Sequence, residues 1–417
     1  MDRYLVISSD CHAGLPPERY RDYLDPQYRE EFDRQHAARL AMLDQAGQRL
    51  EMLAETEKWA EDKRDGLSGA WDHDKRIEVL DADGIAGEIL FPDGLTEHNS
   101  PPFGGDLGLS PLGANPELQW AGARSHNRWI SELVAMAPER RFGLALVPPF
   151  WDMEENLKEI RWAREHGLRG IQLPPMWHDQ AAYHHPKYEP MWAECEELGM
   201  IIHFHSGPAA MQDYFGAALF GAAAAGDEPS EPIVEMPGAL GIYVTEVAWW
   251  LVRPLVFMIW GGIFERYPTL RAVVTEGTSS WAPELLATMD RRYSLEHGTK
   301  KLGTGYRQAM SMKPSEYFHR NVMIGSSGMN RDEVEMRHEI GIHNIMWGSD
   351  YPHPEGSWPI TQEIMIRNFR GVPDDEIERM LGTNAAEFYG FDTEKLLPLA
   401  ERIGPERSLF RDETAPA

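Results

Sequence analysis

The stretch Met200-Ile201-Ile202-His203-Phe204-His205-Ser206-Gly207 carries the pattern from which the fold is read. A short apolar run ends in polar residues and a glycine, with no polar alternation before the end. Strands with one wet face alternate, whereas strands covered on both faces are apolar throughout. Runs of the same character are Leu5–Ser9, Gly87–Phe91, Gly143–Val147, Gly170–Leu173, Ala272–Glu276, Val322–Gly325 and Ile345–Ser349, which makes eight with Met200–His205. Segments of helical length separate most of them, among them Met153–His166, Pro186–Leu198, Thr245–Tyr267 and Trp281–Glu296. Eight buried strands alternating with helices predict an α/β chain folded as a (β/α)8 TIM barrel. A doubly wound open sheet is the rival; the strand count and the polar residues at the strand ends favour the barrel.

The 417 residues are 42% hydrophobic, enough for a sizeable core. With 67 acidic against 40 basic residues the net charge is −27. A chain of that sign is repelled by phosphate, which argues against nucleic acid and anionic membranes as partners. Two cysteines, Cys11 and Cys195, build neither a disulfide framework nor a thiolate zinc site, and fit a reducing cytoplasm. The N-terminus, Met1-Asp2-Arg3-Tyr4, lacks the basic and apolar regions of a signal peptide. The longest apolar stretch, Val247 to Ile263, is interrupted by Arg253 and Pro254 and reads as a buried helix rather than a membrane span.

The barrel is expected over residues 1–395, followed by a polar tail over 396–417 that is loosely held after about Pro405. Two insertions interrupt it. Residues 19–74 are charged and rich in Glu, Ala and Leu, and read as one or two helices added after strand one. Residues 206–241 are rich in Gly, Ala and Pro and read as a long loop after strand five, a lid or binding loop. With the Pro/Gly-rich Ser100–Asn115, they would emerge at the C-terminal ends of the strands, where this fold places its active sites.

The chemistry sits at those strand ends. Ser9-Asp10-Cys11-His12 ends strand one, and residues two apart on a strand point the same way, so Asp10 and His12 can share one ion. The plainer alternative is a capping aspartate beside a surface histidine. Strand five ends in His203 and His205; His205, nearer the mouth, is the preferred ligand, with His203 the second candidate. A satisfied core histidine is the plainer reading for one of the two. Strand eight ends in Asp350, a costly buried carboxylate unless an ion or partner meets it. It is a candidate ligand or acceptor of a proton from bound water, with a helix-capping role as the alternative. Glu276, at the end of strand six, is a candidate general acid or base, or otherwise the partner of an arginine. His353 and Trp177 are candidate substrate contacts, and Arg253 and Arg124 candidate seats for a substrate anion. Most of the tryptophans and methionines, Met176, Trp249 and Trp250 included, are expected in core or lid packing. Oxygen and imidazole ligands without thiolate suit one divalent ion, zinc foremost, with manganese or iron as the others.

The chain resembles the amidohydrolase superfamily, in its branch containing aminocarboxymuconate-semialdehyde decarboxylase. The resemblance spans nearly the whole length. Its supports are Ser9-Asp10-Cys11-His12, Leu80-Asp81-Ala82-Asp83-Gly84-Ile85, Gly170-Ile171-Gln172-Leu173-Pro174, His203-Phe204-His205-Ser206-Gly207, Gly262-Ile263-Phe264-Glu265-Arg266-Tyr267-Pro268, Gly348-Ser349-Asp350-Tyr351-Pro352-His353 and Gly382-Thr383-Asn384-Ala385-Ala386. The resemblance implies a mononuclear metal centre held by Asp10, His12, His205 and Asp350, and a homodimer with the first insertion at its interface. Two departures stand out. Many members open with His-x-His or Glu-x-His where this chain has Asp-x-His. Decarboxylase members carry a catalytic histidine at the end of strand six, and that position here is Glu276. No lysine stands at the tip of strand four, so a carbamylated-lysine bridge between two metals is not supported.

The leading expectation is hydrolysis of a small organic substrate, aromatic ones included, by a metal-activated water, with Asp350 or Glu276 taking the proton. The alternatives are a metal-dependent, non-oxidative decarboxylase of an aromatic or enoic acid, and a barrel that binds a ligand without turnover.

Overall fold

The computed structural model describes residues 2–47, 58–92, 99–104, 115–176, 180–207, 209, 213–214, 216, 236–295, 307 and 309–411. Eight parallel strands follow one another in sheet order: β1 Ile7–Ala13, β2 Gly87–Pro92, β3 Arg141–Leu146, β4 Gly170–Gln172, β5 Ile201–His205, β6 Ala272–Thr275, β7 Val322–Ser327 and β8 Ile345–Gly348. A parallel bridge between Cys11 and Tyr351 brings the ends of the sheet together, giving the (β/α)8 barrel. Helices cover the outside, among them His73–Asp83, Pro116–Ala135, Met153–Glu165, Glu189–Leu198, Ala239–Trp260, Ala282–Ser294 and Thr361–Phe369. Their ends are marked in the sequence. Asp72, Asn115 and Asp152 accept the first free amides at helix starts, and Gly84 and Gly199 take the left-handed turn that ends two helices.

The apolar residues form two layers, as strand alternation requires. Ile7, Ile89, Phe91, Phe142, Leu144, Ile201, Val273, Met323 and Met346 fill the barrel, closed from below by Ala385, Tyr389 and Phe391. Val6, Leu90, Ile171, Ile202, Val274, Ile324 and Trp347 face the helices. The expected strands lie within about two residues of the observed ones, except that β1 runs on to Ala13 instead of stopping at Ser9. Its polar end continues to pair, His12 with Phe91, because Asp10 and His12 are buried by the barrel rather than released to a loop.

The first insertion carries a helix, Arg29–Gly47, and a second helical stretch before His73. Most of the long loop after β5 lies outside the described residues. The helix after it begins at Ala239, six residues earlier than expected, and breaks at Gly261-Gly262. Its second half is buried through Leu251, Val252, Leu255, Met258 and Ile259, as expected for Val247–Ile263, but Leu240, Ile242, Val244 and Trp249 in its first half are exposed. Among the described residues it is the one helix long and apolar enough to cross a membrane. The expected loose tail is corrected as far as residue 411. Thr393–Ile403 is a helix, the Tyr4 amide donates to the Pro405 carbonyl, and Phe410 is buried with its ring edge-on to Tyr4 at 5.1 Å. Leu396 and Ala400 join one apolar cluster with Leu5 and Ile7 from the N-terminus.

Behind β1 and β2 lies a buried ionic cluster. Glu88 accepts from Arg76 at 2.7 Å and from Arg141 at 3.1 Å, with all three side chains shielded from water. Arg76 also donates to the carbonyls of His12 and Gly69, at 2.9 and 3.0 Å. The Glu88→Ala variant strands two buried guanidiniums, and a loss of about 3–5 kcal/mol is expected on denaturant unfolding. A loss under about 1 kcal/mol, the size of a surface pair, would show that the cluster does not hold this side of the barrel.

Candidate metal centre

The mouth of the barrel is organised by an irregularity in β1. Its pairing with β2 shifts register between Ser8 and Cys11, so one extra residue enters the strand. Such a bulge re-aims the side chains that follow it. Asp10 and His12 then face the same side, toward His205 on β5 and Asp350 after β8. His12 Nε2 and His205 Nε2 each stand 3.3 Å from Asp10 Oδ1, and His12 Nε2 stands 3.4 Å from Asp350 Oδ1. The His12 and His205 rings meet edge to face at 4.8 Å, and both lie against Phe91. All four ligand candidates are buried.

The tautomers follow from the neighbours. His12 Nδ1 lies 2.8 Å from the Pro92 carbonyl, which only accepts, so Nδ1 carries the hydrogen and Nε2 presents a lone pair to the mouth. Burial, with His353 next, lowers the His12 imidazole to about 4 and keeps it neutral. His205 Nδ1 likewise donates to the Ser206 carbonyl at 3.0 Å. Burial works against charge on His205, but Asp10 and Glu276 outweigh it and raise the ring to about 9. Burial also opposes charge on Asp10, yet the charged His205 ring holds that carboxyl below its ordinary range. Asp350 goes the other way: burial, then the carboxylates of Glu276, Asp10 and Glu355, push it well above the usual range.

Two carboxylates take strained backbone at the strand ends. Glu276 has φ of 66° and Asp350 of 58°, the left-handed region that costs a non-glycine residue about 1 kcal/mol or more. Their amides pin them there, Glu276 donating to the Gly325 carbonyl and Asp350 to the Asp10 carbonyl, each at 2.9 Å. The Ser206 hydroxyl donates to Glu276 and the Ser327 hydroxyl to Asp10. Gly348 is required beside them, since a Cβ there would stand 2.6 Å from that of Asp10.

The structure sorts the remaining candidates. His353 is buried, its ring stacked on His12 at 3.8 Å and its Nδ1 3.1 Å from Asp350 Oδ1. Ligand atoms of Glu276, Asp350, His353 and Glu355 all fall within 4.8 Å of one another. His203 is corrected as a catalytic candidate. It sits deeper in the barrel, with Nδ1 on the Ile201 carbonyl and Nε2 on the Tyr389 hydroxyl, both at 3.1 Å, and burial lowers its ring to about 3. Arg253 donates to the Met176 carbonyl at 2.8 Å, tying the helix Ala239–Trp260 to the chain after β4. Arg124 faces Asp25 and Glu159. Trp177 lies outside the described residues. Sequence reasoning misses Ser206, Ser327 and Glu355; the serines directly follow or end a strand, the one signal they carry.

The sequence pattern of the amidohydrolase family matches residues 9–391. The chain belongs to the amidohydrolase family. It is 25% identical over 338 residues to the 2-amino-3-carboxymuconate-6-semialdehyde decarboxylase of Dictyostelium discoideum, covering 79% of this chain and 80% of that protein. It is 25% identical over 276 residues to the gamma-resorcylate decarboxylase of Rhodococcus jostii, covering 62% of this chain and 75% of the relative. Its fold is similar to that of a 5-carboxyvanillate decarboxylase from Novosphingobium aromaticivorans, solved with manganese and 3-methoxy-4-hydroxy-5-nitrobenzoic acid. The TM-score is 0.60 at 20% identity, over 93% of this chain and 97% of that one. The expectation of hydrolysis is therefore corrected. These relatives are decarboxylases, and exchanging histidine for Glu276 at one strand tip does not define the reaction class when 79% of the chain aligns with one of them and 62% with the other.

The mouth of this amidohydrolase fits a divalent cation. His12 Nε2 and Asp350 Oδ1 are buried, and neither makes a hydrogen bond among the described residues. A lone pair and a carboxylate oxygen left so would be costly without a cation between them. Binding also has a proton signature. His205 holds a proton in the metal-free protein up to about pH 9, and a ligating imidazole must give it up. Manganese affinity should therefore rise with pH up to about 9, and binding near pH 7.5 should release the His205 proton, with any that the raised Asp350 carboxyl still holds in addition. Calorimetry in two buffers of different ionisation enthalpy measures this, and identical heats would remove His205 from the ligand set.

Proposed function

We propose that the chain is a divalent-metal-dependent carboxy-lyase that removes a carboxyl group, without oxidation, from a small aromatic or enoic acid. What supports it most is the alignment of about four-fifths of the chain with a decarboxylase of an enoic acid, 79% by length. In this reading Asp10, His12, His205 and Asp350 hold the ion. Manganese is favoured over zinc, since the similar 5-carboxyvanillate decarboxylase carries it. The bound ion supplies a Lewis-acidic seat for the substrate's oxygens.

The protein's residues do the rest. The pairing of His12 with the Pro92 carbonyl and of His205 with the Ser206 carbonyl fixes both rings before substrate arrives. Phe91 and the stacked His12 and His353 rings line an apolar edge that suits a flat acid. Glu276, which accepts from the Ser206 hydroxyl, stands beside Asp350, where it can pass a proton from solvent to the product. The bond between the ring or alkene carbon and the carboxyl carbon breaks, and carbon dioxide leaves. The electron pair stays on the carbon, which takes a proton from solvent relayed through Glu276.

The test is carbon dioxide release from a panel of hydroxybenzoic and enoic acids by the manganese-loaded protein. Release from at least one is expected. Asp350→Asn and His205→Ala should fold, by circular dichroism, and lose turnover. Glu276→Gln should bind manganese yet turn over about 10²–10⁴-fold more slowly, the usual share of a general acid. Turnover of amides or lactones with no carbon dioxide from any acid would overturn the reading.

A further inference from the structure

Behind the Asp350 loop runs a chain of hydroxyl groups that begins at a buried acid outside the metal centre. Asp83 ends the helix His73–Asp83 and is buried. Its Oδ2 lies 2.5 Å from Thr361 Oγ1, and Thr361 Oγ1 lies 3.1 Å from Ser357 Oγ. Ser357 Oγ reaches the Ser349 carbonyl at 3.1 Å, and the Ser357 amide donates to the same carbonyl at 2.8 Å. Ser349 is the residue before Asp350, and its own amide donates to Ser8 Oγ on β1.

Counting hydrogens along this chain exposes a shortage. Three links join Asp83, Thr361, Ser357 and the Ser349 carbonyl, and each needs one hydrogen. The Ser349 carbonyl only accepts, from the Ser357 amide at 2.8 Å and from the Ser357 hydroxyl at 3.1 Å, and a hydroxyl bonded there has its hydrogen spent. An ionised Asp83 also only accepts, so Thr361 spends its hydrogen on the carboxylate. The link between Thr361 and Ser357 is then two oxygens with nothing between them, in a place closed to water. A protonated Asp83 removes the conflict. It donates to Thr361, Thr361 donates to Ser357, and Ser357 donates to Ser349, all in one direction.

We infer that Asp83 is a positioning residue that works as a neutral carboxylic acid, its proton completing the chain that fixes the loop carrying Asp350. No cation offsets a charge on Asp83 among the described residues. The ionisable groups on the elements around it are Tyr351 on the loop, Arg140, and Arg402 on the helix Thr393–Ile403. Both arginines pair with Asp81 instead, at 2.9 and 3.2 Å. Gln362, next to Thr361, donates to the Ala82 carbonyl and is neutral. Burial accordingly raises the Asp83 carboxyl to about 6. The sign follows: a carboxyl raised in the folded state contributes its stability below the unfolded value near 3.9 and loses it as pH climbs through about 6. The loop is therefore fully fixed in mildly acidic solution and one hydrogen short above it.

The experiment compares Asp83→Asn and Asp83→Ala with the parent, using the full chain. Asparagine keeps a donor toward Thr361 at every pH. The melting temperature of Asp83→Asn relative to the parent should rise between pH 5 and 8, and the parent at pH 5 should show an infrared carboxylic-acid band that Asp83→Asn lacks. Manganese affinity should be kept in Asp83→Asn and fall about tenfold in Asp83→Ala, the lower range for a residue supporting a ligand. A pH-independent difference in melting, or no acid band at pH 5, overturns the inference. Equal manganese affinity in all three proteins overturns the positioning role. The manganese arm rests on Asp350 as a ligand, whereas melting and infrared do not, so failure of the proposed function and failure of this inference are told apart.

Discussion

Closure of the barrel between its first and last strands is the constraint on which the site depends. The seam is made by the Asp350 amide on the Asp10 carbonyl, the His12 amide on the Tyr351 carbonyl, and Ser8 joined to Ser349. These bonds complete the sheet and, in the same step, set two buried carboxylates beside each other. Neither strand end is stable alone: each presents polar side chains to an interior that would reject them singly. The bulge in β1, the glycine at position 348 and the left-handed turn at Asp350 are the local concessions that let the seam form.

That arrangement has an electrostatic consequence. Asp10, Asp350, Glu276 and Glu355 converge on the mouth, and among the described residues no lysine or arginine pairs with any of them. The neighbours are histidines, of which His205 takes up a proton and His12 stays neutral. A cation is what such a set lacks, and a mouth with a bound cation is one that an acid can approach. The buried arginines of the Arg76–Glu88–Arg141 cluster lie elsewhere, where Arg76 braces β1 from behind through the His12 carbonyl.

Much of this is legible in the amino-acid sequence. Apolar runs of strand length carry their own signature because a parallel strand is covered on both faces, and the helix-capping residues mark the segments between. Asp10, His12, His205 and Asp350 are legible because each follows such a run, where a polar residue must be explained. His203 follows the same rule and is misplaced by it. The rule cannot measure depth, and His203 lies one step lower, where Tyr389 from the far end of the chain meets it. The reaction class is misread for a related reason. Glu276 taken alone points away from decarboxylation, whereas the relatives that align with the chain around it are decarboxylases.

The sequence by itself determined the strand and helix order, the barrel and the residue types available to bind a cation, because these follow from local periodicity and burial. Only the tertiary structure decided which of those residues share a site. Depth in the barrel, the β1 bulge, the tautomers set by the Pro92 and Ser206 carbonyls, and the reach of Asp83 through Thr361 and Ser357 all join positions far apart in the chain. Such contacts leave no local pattern, since each partner on its own reads as an ordinary polar residue.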